Sequence, residues 1–152
     1  MIPERIEREV LIEAPIDVVW AVLTEPEHVA GWFSDSAEID LRPDGDATFT
    51  WREHGSALAW VERVEPPRLF AFRWVRPVGE EQRRESSTLV EFTLAEEGDR
   101  TRLSVVESGF PELAWPEDAK ARYADENTEG WQRELDELRD YVSAHFRPAA
   151  ER

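Results

Sequence analysis

Residues 6–13 alternate apolar and charged side chains (Ile6, Glu7, Arg8, Glu9, Val10, Leu11, Ile12, Glu13), which predicts a strand with one face turned inward. Ala14-Pro15 breaks that pattern, and Pro15 takes the place of a first helical residue. Ile16, Val19, Trp20 and Leu23 then recur at i, i+3, i+4 and i+7, the spacing of a short amphipathic helix. Thr24-Glu25-Pro26-Glu27 has capping-box spacing and predicts a second short helix running through Val29 and Ala30 to Trp32. Both helices are expected on the concave side of the sheet that follows.

The rest of the chain reads as strands punctuated by turns. Asp44-Gly45 joins residues 37–41 to 47–53, His54-Gly55 leads into 56–64, and Pro66-Pro67 bends the chain into 69–75. A polar stretch, 76–86, is long for a hairpin and of the kind that often flanks a site. Residues 88–95, the Glu97-Gly98-Asp99 turn and residues 101–108 complete an antiparallel meander of about seven strands. Gly109-Phe110-Pro111 ends the sheet, and Leu113-Ala114-Trp115-Pro116 forms a partly apolar connection. The last helix is expected over 117–146, with Trp131, Leu135, Leu138, Val142 and Phe146 on one stripe. Arg133, Glu134, Glu137, Arg139 and Asp140 fall on its solvated outer face. The ordered core is expected at about 4–146, in a single domain spanning 1–152.

Aromatic residues alternate within the strands: Phe49 with Trp51, Phe70 with Phe72 and Trp74, and Val90 with Phe92 and Leu94. Strands that each present one apolar face need a cover, and a single helix is narrow for a wide sheet, so a cavity is expected between them. Its candidate lining is Trp32, Phe49, Trp51, Phe72, Trp74, Phe92, Val105, Glu107, Phe110, Asn127, Trp131 and Leu135. The same rings, burying about 150–250 Å² each, would also serve to fill the interior as a solid core. Trp74 and Trp131 each bring an N–H, suited to orienting a flat apolar ligand with one polar edge. Asn127, one turn before Trp131, either donates a hydrogen bond there or merely interrupts the helix near Gly130.

Composition narrows the partners. The chain has 152 residues, enough for one core without staples, and no cysteine, which excludes disulfides, thiolate metal sites and cysteine nucleophiles. The first residues are charged and lack the apolar segment of a signal peptide, and no apolar run approaches the ~20 residues that span a bilayer. A cytoplasmic protein is the expectation. With 34 acidic against 18 basic residues the formal charge is -16, which repels phosphate backbones and anionic membranes, so neither nucleic acid nor membrane is expected as a partner. Lys120 is the sole lysine, a bias that suits a high-salt cytoplasm and equally a genome that encodes arginine in place of lysine.

Three stretches occur together in a specific order: Ala14-Pro15 with Val19-Trp20 and later Trp32; Val64-Glu65-Pro66-Pro67-Arg68-Leu69 with Phe72 and Trp74; and Ser108-Gly109-Phe110 followed by Gly130-Trp131. In this the chain resembles the small bacterial proteins similar to the C-terminal domain of the activator of heat-shock protein 90 ATPase. These belong to the START-like helix-grip (SRPBCC) superfamily, which includes the birch-pollen allergen and polyketide cyclases. The resemblance implies an α+β helix-grip fold: a curved antiparallel sheet wrapped on a long C-terminal helix around a cavity, with two short helices after the first strand. The fold hosts ligand carriers, cyclases, hydrolases, sensors and chaperone partners, so it does not by itself give a function. The family's last strand usually carries a histidine at or near the position before the Ser-Gly pair; here that position is Glu107.

Leu103, Val105 and Glu107 share one strand face, expected to look inward. A carboxyl buried beside aromatics keeps its proton to higher pH, which is how general acids are made. The commoner arrangement, and the expectation here, is a glutamate at a strand end paired with an arginine or reaching water. His28, His54 and His145 do not converge: the first two are expected exposed, the third at a helix C-terminus where the dipole favours it. No metal-ligand spacing, phosphate-binding glycine loop or nucleophile elbow is present, and Ser108 has no histidine placed to activate it, so neither metal nor cofactor is expected. The leading expectation is a binder of a small apolar or aromatic molecule. The alternatives are a chaperone partner resembling the heat-shock ATPase activator and a cyclase or hydrolase using Glu107. Leu113 and Trp115 would supply exposed apolar surface for a homodimer.

Overall fold

The computed structural model describes residues 2–53, 55–75 and 87–146. His54, the 76–86 stretch and the tail from Arg147 lie outside the described residues. The elements follow in the order β1 (Arg5–Ile12), α1 (Ile16–Thr24), α2 (Pro26–Trp32), β2 (Ser36–Ile39), β3 (Asp46–Trp51), β4 (Gly55–Glu65), β5 (Leu69–Val75), β6 (Thr88–Glu97), β7 (Arg100–Ser108) and α3 (Glu117–His145). The expected α+β helix-grip architecture is the observed one: a curved, unclosed seven-stranded antiparallel sheet, a long C-terminal helix and two short helices after the first strand.

The sheet order is β1-β7-β6-β5-β4-β3-β2. Strands β2 to β7 form the meander, but β1 does not join it at its start. The helices α1 and α2 carry the chain from one edge of the sheet to the other, and β1 pairs with the last strand, Ile6 opposite Glu107 and Val10 opposite Leu103. Large and small side chains alternate across the inner face. Ala57 on β4 lies opposite Phe49 on β3, and Ala59 lies opposite both Ala47 on β3 and Trp74 on β5. These alanines leave the volume that the flanking rings occupy, which is how a sheet carrying so many aromatics still packs closely. The Pro66-Pro67 bond between β4 and β5 is cis. At the β2–β3 turn Asp44 takes a left-handed φ of 65°, and a Cβ on Gly45 would lie 2.1 Å from the Asp40 carbonyl, so only glycine fits.

Helix α3 begins after Pro116 with Glu117 and Asp118 in its first turn, charges that complement the helix dipole, and ends with His145 in its last. Its buried stripe is Lys120, Tyr123, Ala124, Asn127, Trp131, Leu135, Leu138 and Val142. The sole lysine is therefore a buried one, its Nζ donating to the Pro111 carbonyl at 2.7 Å and to Glu117 at 3.2 Å.

Two local expectations are corrected. The capping box at Thr24 does not form: the Thr24 hydroxyl donates back to the Trp20 carbonyl at 2.8 Å, and α2 starts directly at Pro26. A hydroxyl at the end of one helix finds the carbonyl one turn behind it before it finds the next helix. Leu113 and Trp115 are not an exposed pair either. Leu113 is buried in the core, and Trp115 is half-buried with its ring edge-on to Tyr123 at 5.0 Å.

Candidate functional site

Glu107 ends the inward face of β7 and is 0 % exposed. Its Oε1 accepts the indole N–H of Trp131 at 2.8 Å and the side-chain amide of Asn127 at 2.9 Å. Its Oε2 accepts the indole N–H of Trp74 at 2.9 Å and the Thr88 hydroxyl at 2.5 Å. Three of these groups can only donate, whereas the Thr88 hydroxyl can donate or accept, so every polar atom of the carboxyl group is engaged. The expected arginine or water partner is thus replaced by four neutral donors, drawn from β5, β6 and two successive turns of α3. The strand register explains the convergence. Thr88 lies opposite Trp74, and Val90, two residues on, lies opposite Glu107, so all three side chains point to one face.

A cleft of about 410 Å³ opens beside this node, lined by Phe33, Trp51, Trp74, Glu126, Asn127, Gly130, Trp131, Arg133 and Glu134. Phe33 is its centre. The ring lies parallel to Trp131, with 6° between the planes and centroids 5.8 Å apart, and close to parallel with Trp74, at 22° and 5.9 Å. Trp51 stands steeply against this group, at 74° to Phe33 and 62° to Trp74. Its indole N–H donates to the Phe33 carbonyl at 2.9 Å, which fixes the residue that follows α2. The three indole N–H groups around the cleft are therefore all engaged within the protein. Trp74 and Trp131, each 3 % exposed beneath Phe33, do not offer the polar edge expected of them.

The expected lining divides in two. Trp51, Trp74, Asn127 and Trp131 line the cleft, and Glu107 stands directly behind it. Phe49, Phe72, Phe92, Val105, Phe110 and Leu135 are buried in the core, where they fill the space between sheet and helix. Trp32 is likewise buried, its indole donating to the Val22 carbonyl at 2.9 Å. The interior is thus a packed core along most of the helix, and the cleft lies at one end of it. Sequence reasoning missed Phe33, one residue past the predicted helix end, and Thr88, a small polar residue on an inward strand position. Arg133 is exposed, as expected of the solvated face, and Glu134 is half-buried; both also stand at the cleft's rim.

The histidines stay apart from this site. His28 is half-buried rather than exposed, its Nδ1 2.8 Å from the Tyr141 hydroxyl and its ring edge-on to Phe146. Burial, and then the charge of Glu27, push the Tyr141 hydroxyl's pKa above its ordinary value. His145 stacks on Tyr141 at the end of α3. Among the described residues no group of three or more His, Asp or Glu side chains could hold a metal ion, and no helix is long and apolar enough to cross a membrane.

A family model described as activator of Hsp90 ATPase homolog 1-like protein matches residues 13–143. The chain belongs to that family. The match takes in every element that builds the cleft, from α1 to the buried stripe of α3. Family members are usually binders of ligands. No curated protein matches the chain in sequence. Among solved structures it is similar to protein MLL2253 from Mesorhizobium loti, with 19% identity, a TM-score of 0.79, and coverage of 93% of this chain and 98% of that one. It is similar also to CalU16 from Micromonospora echinospora, with 28% identity, a TM-score of 0.69, and coverage of 91% and 76%. The Aha1 dimer from Colwellia psychrerythraea shares the fold at 16% identity and a TM-score of 0.71, over 90% of this chain and 93% of that one.

Proposed function

We propose that the protein binds a small, largely apolar or aromatic molecule in the cleft between Phe33, Trp51 and the middle of α3. One observation carries this reading. A cleft of about 410 Å³ is lined by Phe33 and Trp51, with Trp74 and Trp131 behind them and Glu126, Asn127, Gly130, Arg133 and Glu134 on the helix side. Rings that served only as core would close over one another, whereas Phe33 and Trp51 remain half-buried at an opening. Glu107 does not act as an acid or base in this reading. It is fully buried and both oxygens are occupied by donors, so no substrate atom reaches it. Its work is to hold the two indoles and Asn127 at fixed angles.

Native mass spectrometry of freshly purified protein tests the reading, followed by titration with aromatic alcohols and amines read from the indole N–H resonances. A small adduct lost on denaturation, or saturable shifts of the Trp74 and Trp131 indole signals, supports it. A bare mass together with unmoved indole signals refutes it. The family description supports a second reading, an interaction with a chaperone ATPase, which is tested by adding the protein to an Hsp90-class ATPase assay: an unchanged turnover rate rules it out.

A further inference from the structure

We propose that the Phe33 ring is a gate: it fills the seat of a planar aryl ligand and turns aside when such a ligand enters. The inference rests on the ligand-binding reading given above and names how that site opens and which shape it takes.

Phe33 is surrounded as a bound aryl group would be. Trp131 and Trp74 lie close to parallel with its ring, at 6° and 22°. Phe49 and Trp51 stand edge-on to it, at 85° and 74°, each with its centroid 5.3 Å away. Trp32 tilts against it at 5.1 Å. Stacked and edge-on neighbours at such distances are the arrangements that aromatic pairs prefer. Yet the ring so enclosed is only half-buried, and it borders the cleft.

The rings around it are tethered, and Phe33 is not. The indoles of Trp74 and Trp131 donate to Glu107, that of Trp51 to the Phe33 carbonyl, and that of Trp32 to the Val22 carbonyl. Turning any of these indoles breaks a hydrogen bond. The phenyl ring of Phe33 has no polar atom, so packing alone holds it. Its backbone is pinned on both sides, the N–H donating to the Val29 carbonyl at 2.8 Å and the carbonyl accepting from Trp51 at 2.9 Å. Freedom is therefore confined to the side-chain torsions, and the cleft of about 410 Å³ beside the ring gives it room to turn. Of the rings that line the cleft, Phe33 is the one that leaves its place without breaking a hydrogen bond.

The vacated space selects its occupant. Phe33 leaves a slot shaped by a planar ring, with near-parallel indoles along it and Phe49 and Trp51 edge-on to it. With the gate in place Trp74 and Trp131 are buried, so a ligand reaches them only in molecules whose gate has turned. The fraction of such molecules then scales the apparent affinity.

The probes are benzyl alcohol and its saturated counterpart, cyclohexylmethanol. Each is titrated into the full chain labelled at phenylalanine, and the Phe33 ring resonances are identified from the Phe33→Leu spectrum. In the free protein these resonances should lie upfield, in the ring currents of Trp74 and Trp131. Saturation with benzyl alcohol should move them downfield, toward those of an unstacked phenylalanine. Phe33→Ala removes the gate, so benzyl alcohol should bind it about tenfold more tightly or better, as follows where a tenth or less of the molecules are open. Benzyl alcohol should also bind more tightly than cyclohexylmethanol, although the saturated ring is the more apolar. Binding that leaves the Phe33 resonances in place, or that Phe33→Ala weakens, overturns the gate and leaves the ligand-binding reading standing. Binding to Phe33→Ala alone overturns it too, making Phe33 a fixed plug. Tighter binding of cyclohexylmethanol overturns the planar seat. If neither alcohol binds the chain or the variant, both readings fall together.

Discussion

Trp74 on the sheet and Trp131 on the helix stack with centroids 5.7 Å apart and donate to opposite oxygens of the same carboxylate, that of Glu107. One side chain thus ties the sheet to its covering helix through two indoles, and most of what the site can be made to do depends on it.

Glu107→Gln changes one oxygen into an NH2 group while keeping shape and volume. Whichever way the amide turns, its two hydrogens face N–H groups, those of Trp131 and Asn127 or that of Trp74. Only Thr88 can reverse and accept. The expected cost is about 2–4 kcal/mol, the range for hydrogen bonds to a buried charged group lost with their partners left unpaired. Urea denaturation of the variant checks it. Thr88→Val, which removes a single donor, should cost about 1 kcal/mol by the same assay. Equal and small effects of the two changes would show that the four-donor node carries no stability.

Phe33→Ala removes the ring that lies parallel to both indoles. Stability should fall by about 1–2 kcal/mol, less than for a fully buried phenylalanine because this one is half-buried. At present Trp74 and Trp131 are each 3 % exposed. Removing Phe33 uncovers them, so acrylamide quenching of tryptophan emission should rise clearly in the variant. Unchanged quenching would mean that Phe33 does not cover the indoles in solution.

Gly31 lies where α2 meets α3, and a Cβ there would sit 2.4 Å from Tyr141 Cε1. Gly31→Ala should destabilise by about 1–3 kcal/mol despite the better helix propensity of alanine, since Tyr141 must shift away from His28. In a Tyr141→Ala background the obstruction is gone and the sign should reverse, to a gain of up to about 1 kcal/mol from propensity alone. A double-mutant cycle by chemical denaturation reads the coupling.

Tyr141 also gives a pH dependence of definite sign. Burial raises its folded-state pKa above the ordinary 10.0, with Glu27 adding to it, so the fold keeps the neutral phenol where the unfolded chain has begun to ionise. That contribution is intact below pH 10.0 and is lost as pH rises through the raised folded value. Between those limits the protein should lose stability with pH more steeply than Tyr141→Phe. The difference between their tyrosinate absorbance titrations should show one phenol ionising late.

The sheet and the three helices were legible because most strands repeat inward apolar residues at period two and α3 repeats its own near 3.6, although β5 is buried on both faces and β4 shifts register between Val61 and Arg63. The Glu107 node was half legible. Glu107 among Leu103 and Val105, and Asn127 on the stripe between Ala124 and Trp131, are polar residues at core positions, which is the sequence signal of a buried pair. That they meet each other, and not an arginine, depends on how α3 lies across β7, and no local pattern encodes that. Phe33 was missed for a different reason. It follows the last turn of α2 and reaches the cleft only because Trp51 holds its carbonyl from another strand. Trp32, the residue before it, has the better helical phase and turns into the core instead.

The position of β1 has a consequence for how this chain comes into being. Its apolar face (Ile6, Val10 and Ile12) finds its strand partner only on β7, and Arg5 meets Ser108 across roughly a hundred residues of intervening chain. During synthesis the first strand made is the last to be paired, waiting while six others leave the ribosome and assemble as neighbours. Docking β1 also covers the β7 backbone alongside Glu107, so the node that joins sheet to helix is sealed from water only when the two ends of the sheet's sequence meet.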